Sequence, residues 1–200
     1  MAMEISSTAF GPGAPIPTRH TCEGDDVSPS LHWQGVPAGA KSLVLVVDDP
    51  DAPDPRAPRM TWVHWVLVNL PVDNGGLPEG IEPDALPKGT VEGLNDWKRT
   101  GYGGPCPPIG RHRYFHKLYA LDIVLDGLKH PTKAQVETAM KGHVLAHAEL
   151  VGTYEQTGRW SRVRIRCLAS QPGMSSATHR GVAPGSMNAR IFKPCATAYQ

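Results

Sequence analysis

Two aspartates, two histidines and a tyrosine carry most of the chemistry this sequence can do. Asp49 and Asp51 stand at the end of an apolar run. His64 lies inside a second apolar run between Trp62 and Trp65, and His112 and Tyr114 open a third. Imidazole N–H and phenol O–H groups suit the oxygens of phosphate or carboxylate. A carboxylate behind a histidine holds its tautomer and favours its charged form. Two His with one or two Asp also make an acceptable metal-ligand set, but no H-E-x-x-H pair fixes two ligands on one helix. Hydrolysis with a histidine base is a third chemistry, although the chain has no G-x-S-x-G elbow and no serine stands out beside these residues. A fourth reading is purely structural, with His64 a satisfied interior histidine on a Trp-rich strand. From the residues alone, all four stay open.

The elements that must position these groups are strands. Ser42–Val47 is apolar on both faces and ends at Asp48-Asp49-Pro50, so it reads as a buried strand. Trp62–Asn69 is a second, closed by Pro71; strict alternation puts Trp62, His64, Val66 and Val68 on one face and Val63, Trp65 and Leu67 on the other. His112–Leu121 is a third, with His112, Tyr114, His116 and Leu118 sharing a face and Arg113 pointing away, free to pair with an aspartate of the preceding Asp-rich loop. Glu4–Phe10 and Ser30–Trp33 are weaker strand candidates, and Glu149–Glu155 reads as a closing strand. One helix is signalled: Thr132 and Gln135 form a capping box, Val136, Ala139 and Met140 follow as an apolar stripe, and Gly142 is the stop. Val144–Ala148 reads as a further short turn of helix. Two long connections, 48–60 and 73–110, are rich in Pro, and compact domains keep such loops mainly where a site is shaped. Pro107-Pro108 invites a cis bond.

Gly and Pro make up 41 of 200 residues, well above the usual share; many turns and little helix point to a mainly β domain. The net charge of +1 hides a split: residues 1–156 carry 13 Lys/Arg and 19 Asp/Glu, a balance of −6, whereas 157–200 carry 7 basic side chains and no acidic one. An acidic body argues against nucleic acid as a partner. In the tail, Arg159–Cys167 alternates basic and apolar residues and Ser170–Ser186 is small and polar, which reads as a disordered or appended segment. We therefore expect a domain at 1–156 and a separate basic tail at 157–200. The N-terminus lacks the basic and apolar regions of a secretory signal, so a cytoplasmic placing is expected. Cys22, Cys106, Cys167 and Cys195 lack C-x-x-C spacing and are expected to be free thiols in that reducing setting, with Cys106 a small buried residue.

Four spaced blocks carry a resemblance: Asp49-Pro-Asp-Ala-Pro53, Trp62-Val-His-Trp-x-x-x-Asn-Leu-Pro71, Gly101-Tyr-x-Gly-Pro-x-Pro-Pro-x-Gly110 and His112-Arg-Tyr-x-x-x-Leu-Tyr-Ala-Leu-Asp122. Together they resemble the signature blocks of the phosphatidylethanolamine-binding protein family, in its bacterial Raf-kinase-inhibitor-like branch, from about Ile5 to Glu155. The resemblance implies a β-sandwich with an antiparallel, Greek-key-like central sheet and a few short peripheral helices. It implies a small preformed pocket for phosphate-type or carboxylate anions, such as a phospholipid headgroup, lined by Asp49, Pro53, Trp62, His64, Gly104, Pro105, His112 and Tyr114, with Asp51 and Arg113 in support. Cis peptides in the Asp/Pro-rich loop are implied as well. No catalytic residue, metal or cofactor is implied. A regulatory role is, through a kinase or protease partner, and a homodimer is compatible with it. His116 departs from the family pattern, either as a second cation near the pocket or as a strand-lining residue.

Overall fold

The computed structural model describes residues 2–157. The basic tail expected from residue 157 on, with Cys167 and Cys195, lies outside the described residues apart from Thr157. Eight strands form two antiparallel sheets: β1 (Glu4–Ser6), β2 (Leu31–Gln34), β3 (Ser42–Asp49), β4 (Trp62–Leu70), β5 (Gly76–Leu77), β6 (Val91–Glu92), β7 (Arg111–Leu121) and β8 (Val144–Glu155). The small sheet runs β1-β2-β5 and the large one β6-β4-β3-β7-β8. β7 returns through a long connection to lie against β3, which gives the Greek-key-like order.

β3 is buried along its whole length. Leu43, Leu45 and Val47 face the small sheet and pack with Leu31, Trp33, Trp65, Leu118 and Leu150. Val44 and Val46 face the other way, with Val66, Val68, Leu125 and Val136. Each such side chain contributes about 1.5–3 kcal/mol on leaving water, so the two-faced run anchors both layers. The second layer is closed by α1 (Lys133–Ala139), capped as the sequence predicts: Thr132 accepts from the Gln135 amide, and the Gln135 side chain accepts from the Thr132 amide. Gly142 sits at φ +83°, where glycine carries no Cβ penalty. Buried Asp48 bolts this helix to the sheet through Lys133 at 2.7 Å and Lys117 at 2.8 Å.

Four sequence expectations are corrected. Val144–Ala148 is not helical: β8 pairs with β7 from Val144 against Leu121 to Glu155 against Arg111. The first strand is shorter than expected and ends at Ser6. Among the described residues the cis peptide is Ala52–Pro53, in the Asp/Pro-rich loop, rather than Pro107–Pro108. The faces of β4 also differ. Val47 pairs with Trp65 but Asp48 pairs with Val63, so His64 is the extra residue of a β-bulge. Beyond the bulge the alternation inverts: Val63 joins Val66 and Val68 in one layer, while His64 meets Tyr114 on the face that looks toward the small sheet.

Candidate functional site

The edge-on meeting of β3, β4 and β7 sets the geometry. Asp49, the last residue of β3 rather than the first of the loop, is fully buried. One carboxylate oxygen accepts from the Asp51 amide at 2.8 Å, and the other lies 2.6 Å from His112 Nδ1. His112 Nε2 lies 3.0 Å from the Ile109 carbonyl. A carbonyl can only accept, so Nε2 carries a proton; the ionised carboxylate accepts from Nδ1, and His112 is an imidazolium. Burial opposes that charge, but the hydrogen bond and attraction of Asp49, helped by the Ile109 carbonyl, outweigh it and raise the His112 pKa above the ordinary histidine range.

His64 is in the opposite state. Its Nδ1 donates to the Gly103 carbonyl at 2.6 Å. Its Nε2 has no hydrogen-bond partner among the described residues, and the residue is 1% exposed. Burial pushes its pKa down, although Gly103 and the charges of Asp49, Asp48 and Asp26 pull the other way. The ring stands edge-on to Trp97 at 5.1 Å and to Tyr114 at 5.2 Å, while Tyr114 stacks along His112 at 6.5 Å.

The 101–110 loop is pinned where it meets His64. The Gly104 amide donates to Asp26 at 2.7 Å, and the Pro105 carbonyl accepts from the Cys22 amide at 3.1 Å. A side chain on Gly104 would strike the His20 carbonyl, and one on Gly103 the Trp97 ring. Cys106 is disulfide-bonded to Cys22, with Cα atoms 5.4 Å apart, which corrects the expectation of free thiols for this pair. The pairing joins residues 84 positions apart, so no local spacing announces it.

Thus the predicted Asp49, His64, His112 and Tyr114 meet directly, and Gly104 and Pro105 flank the carbonyl that holds His64. Trp62 joins through Trp97, at 5.4 Å. Pro53 is placed by its loop, which folds back so that the Arg59 and Met60 amides donate to the Ala52 carbonyl at 2.9 and 3.2 Å. Asp51 takes a two-pronged grip on Arg113, 2.9 and 2.7 Å, and also accepts from the Arg113 amide. That pair holds the Asp51 carboxyl below its usual range and fixes the loop to β7, as the alternation of β7 foretells. His116 is buried against Phe10 and burial pushes its pKa down to about 4, so it lines the strand as a neutral residue and adds no cation near pH 7. Its H-x-x-x-H spacing with His112, which on a helix would bring two imidazoles together, falls on a strand. Among the described residues no three His, Cys, Asp or Glu are grouped to hold a metal. Sequence reasoning missed Trp97, Gly103 and Asp26, which lie in long connections where no periodicity marks a side chain's direction.

Fold and site together define a small antiparallel β-sandwich with a buried acid–imidazole–phenol cluster at its strand ends. The family model for phosphatidylethanolamine-binding protein matches residues 6–155. A UPF0098 protein of Methanothermobacter thermautotrophicus is 51% identical over 156 residues, covering 77% of this chain and 99% of its own. A phosphatidylethanolamine-binding protein homolog of Chlamydia trachomatis, CT736, has a solved structure that is 44% identical, with TM-score 0.71 over 78% of this chain and 98% of its own. The structure of E. coli YbcL, described as a member of the mammalian family, is 35% identical with TM-score 0.71, covering 78% of this chain and all of its own. The chain belongs to the phosphatidylethanolamine-binding protein family. Among the described residues no helix is long and apolar enough to cross a membrane.

Proposed function

We propose that this protein binds a small phosphate-type or carboxylate anion, such as a phospholipid headgroup, through His64, His112 and Tyr114, with Asp49 orienting His112. Trp62, Pro53, Gly104 and Pro105 shape the surround. The observation that carries the reading is the buried Asp49–His112 pair beside a His64 nitrogen that has no hydrogen-bond partner among the described residues. A buried polar atom without a partner is costly in a structural role and useful in a binding one. The fixed imidazolium supplies a directed N–H donor, and a charge-assisted donor is roughly twice as strong as a neutral one. That donor is held by the Ile109 carbonyl, so an incoming oxygen takes the carbonyl's place. Residues 108–110 are exposed and joined to His112 by this bond, and on this reading they form the strap that yields to the ligand.

His112→Ala should weaken binding of inorganic phosphate and phosphoethanolamine at least about ten-fold, the scale of losing one charge-assisted hydrogen bond. Titration calorimetry showing no loss would remove the assignment. A regulatory role through a kinase or protease partner goes with this reading as a proposal, and a pull-down comparing wild type with His112→Ala tests whether such a contact uses the pocket.

A further inference from the structure

The protonation pattern of His64 says which anions the pocket accepts, an inference that rests on the anion-binding reading above. The Gly103 carbonyl has no proton to give, so the short contact at 2.6 Å fixes the ring proton on Nδ1. In the neutral ring Nε2 is then a bare lone pair, buried and unpartnered among the described residues. Trp97 and Tyr114 stand edge-on against the ring. A lone pair repels an anionic oxygen and accepts from an O–H. The rest of the cluster adds no surplus of positive charge, because Asp49 neutralises His112 at 2.6 Å. A ligand of low charge that carries a proton fits both facts: one oxygen takes the His112 N–H, and one O–H donates to His64.

We propose that the pocket selects anions that bear an O–H, such as dihydrogen phosphate and phosphate-monoester monoanions, over proton-free anions of the same size such as sulfate, with His64 as the specificity-determining residue. Phosphate and sulfate share tetrahedral shape and size, so shape alone does not separate them. The proton does.

The test is calorimetric titration of the full chain with inorganic phosphate, phosphoethanolamine and sulfate at about pH 6, near the second pKa of a phosphate monoester. Phosphate should bind at least about ten-fold more tightly than sulfate, the scale of one hydrogen bond to a buried acceptor. His64→Phe keeps a ring and removes the acceptor, so the preference should fall to within about two-fold. Sulfate binding as tightly as phosphate to the wild type would overturn the inference and leave the anion pocket standing. Binding of none of the three would overturn the pocket itself. Where His64→Phe fails to fold, nitrogen chemical shifts of the wild-type His64 ring decide: a bare Nε2 in the free protein that shifts on adding phosphate supports the inference, and a protonated Nε2 in the free protein overturns it.

Discussion

Three buried histidines of β4 and β7 differ in charge because each meets a different neighbour: His112 is charged, whereas His64 and His116 are neutral. His112 is charged because Asp49 is there. In Asp49→Asn, burial is opposed only by the Ile109 carbonyl and the more distant charge of Asp51, and His112 should titrate at lower pH than in the wild type, seen in the pH profile of its ring proton resonances. The sign for stability follows: a base whose folded pKa is raised stabilises fully below its unfolded value near ~6.5 and loses that contribution as pH rises through the folded value. Anion binding should weaken over the same window, and a profile flat from about pH 5.5 to 8 would mean that no imidazolium takes part. His116 runs the other way. Its pKa is pushed down to about 4 by burial, so its neutral form stabilises above ~6.5 and that contribution is lost as pH falls toward 4. The loss amounts to at most about 3 kcal/mol at pH 4. His116→Leu should flatten that acid limb, measured as the denaturant midpoint at pH 4 and pH 7. That Arg113 turns away from His112 and Tyr114 toward an aspartate of the preceding loop was legible from alternation; that the partner is Asp51 was not. The difference between His112, His64 and His116 was not, because a histidine's charge depends on neighbours that the local sequence does not name.

Among the elements, apolar runs made β3, β4 and β7 legible, and Thr132 with Gln135 made the helix start legible. The first half of β8 was not. Leu145, Ala146 and Ala148 favour helix by intrinsic propensity, and pairing with β7, more than twenty residues upstream, overrides it. The bulge at His64 was hidden for a related reason: reading faces by alternation assumes that every residue advances the strand equally. The loop from Gly101 to Gly110 divides into two functional halves. Its first half is fastened by Asp26, by the close approach of Gly104 to His20 and by the disulfide. Its second half is held on the site by the Ile109–His112 bond. Exposed Pro108 stiffens that half. Pro108→Gly should make the detached strap entropically more favourable and tighten phosphate binding about three-fold in calorimetry. Weaker binding would show that the strap shapes the site rather than covering it.

Over the whole molecule, the disulfide is the one described feature that argues against the expected setting. Stable disulfides belong mainly to oxidising compartments, whereas the cytoplasmic placing brought with it the expectation of reduced thiols. The bond also closes a long stretch of chain, an 84-residue separation that spans β2 to β6. Such a closure is worth roughly 2–5 kcal/mol, mostly by restricting the unfolded chain. Reduction, or Cys22→Ser with Cys106→Ser, should lower the thermal midpoint by an amount matching that range, measured by scanning calorimetry with and without reductant. An unchanged midpoint would mean that Asp26 and the Pro105–Cys22 backbone bond already hold the loop without it. Charge at this scale says little about the site. The body at 1–156 is acidic by −6, yet the buried cluster at its strand ends holds a neutral ion pair and an uncharged imidazole.

The bulge in β4 makes the site sensitive to deletion in a way that substitution scans do not reveal. Removing residue 64 would let Asp48 and Val47 pair with consecutive partners and restore regular pairing with β3 at this end of the strand, leaving the second irregularity between Leu43 and Leu45 untouched. The healed sheet would fold at least as readily, since a bulge leaves one residue outside the hydrogen-bond ladder. It would, however, have no imidazole opposite Gly103. Within a family of such chains, a gap of one residue at this point of the alignment would mark proteins that keep the fold and have lost the proposed anion site.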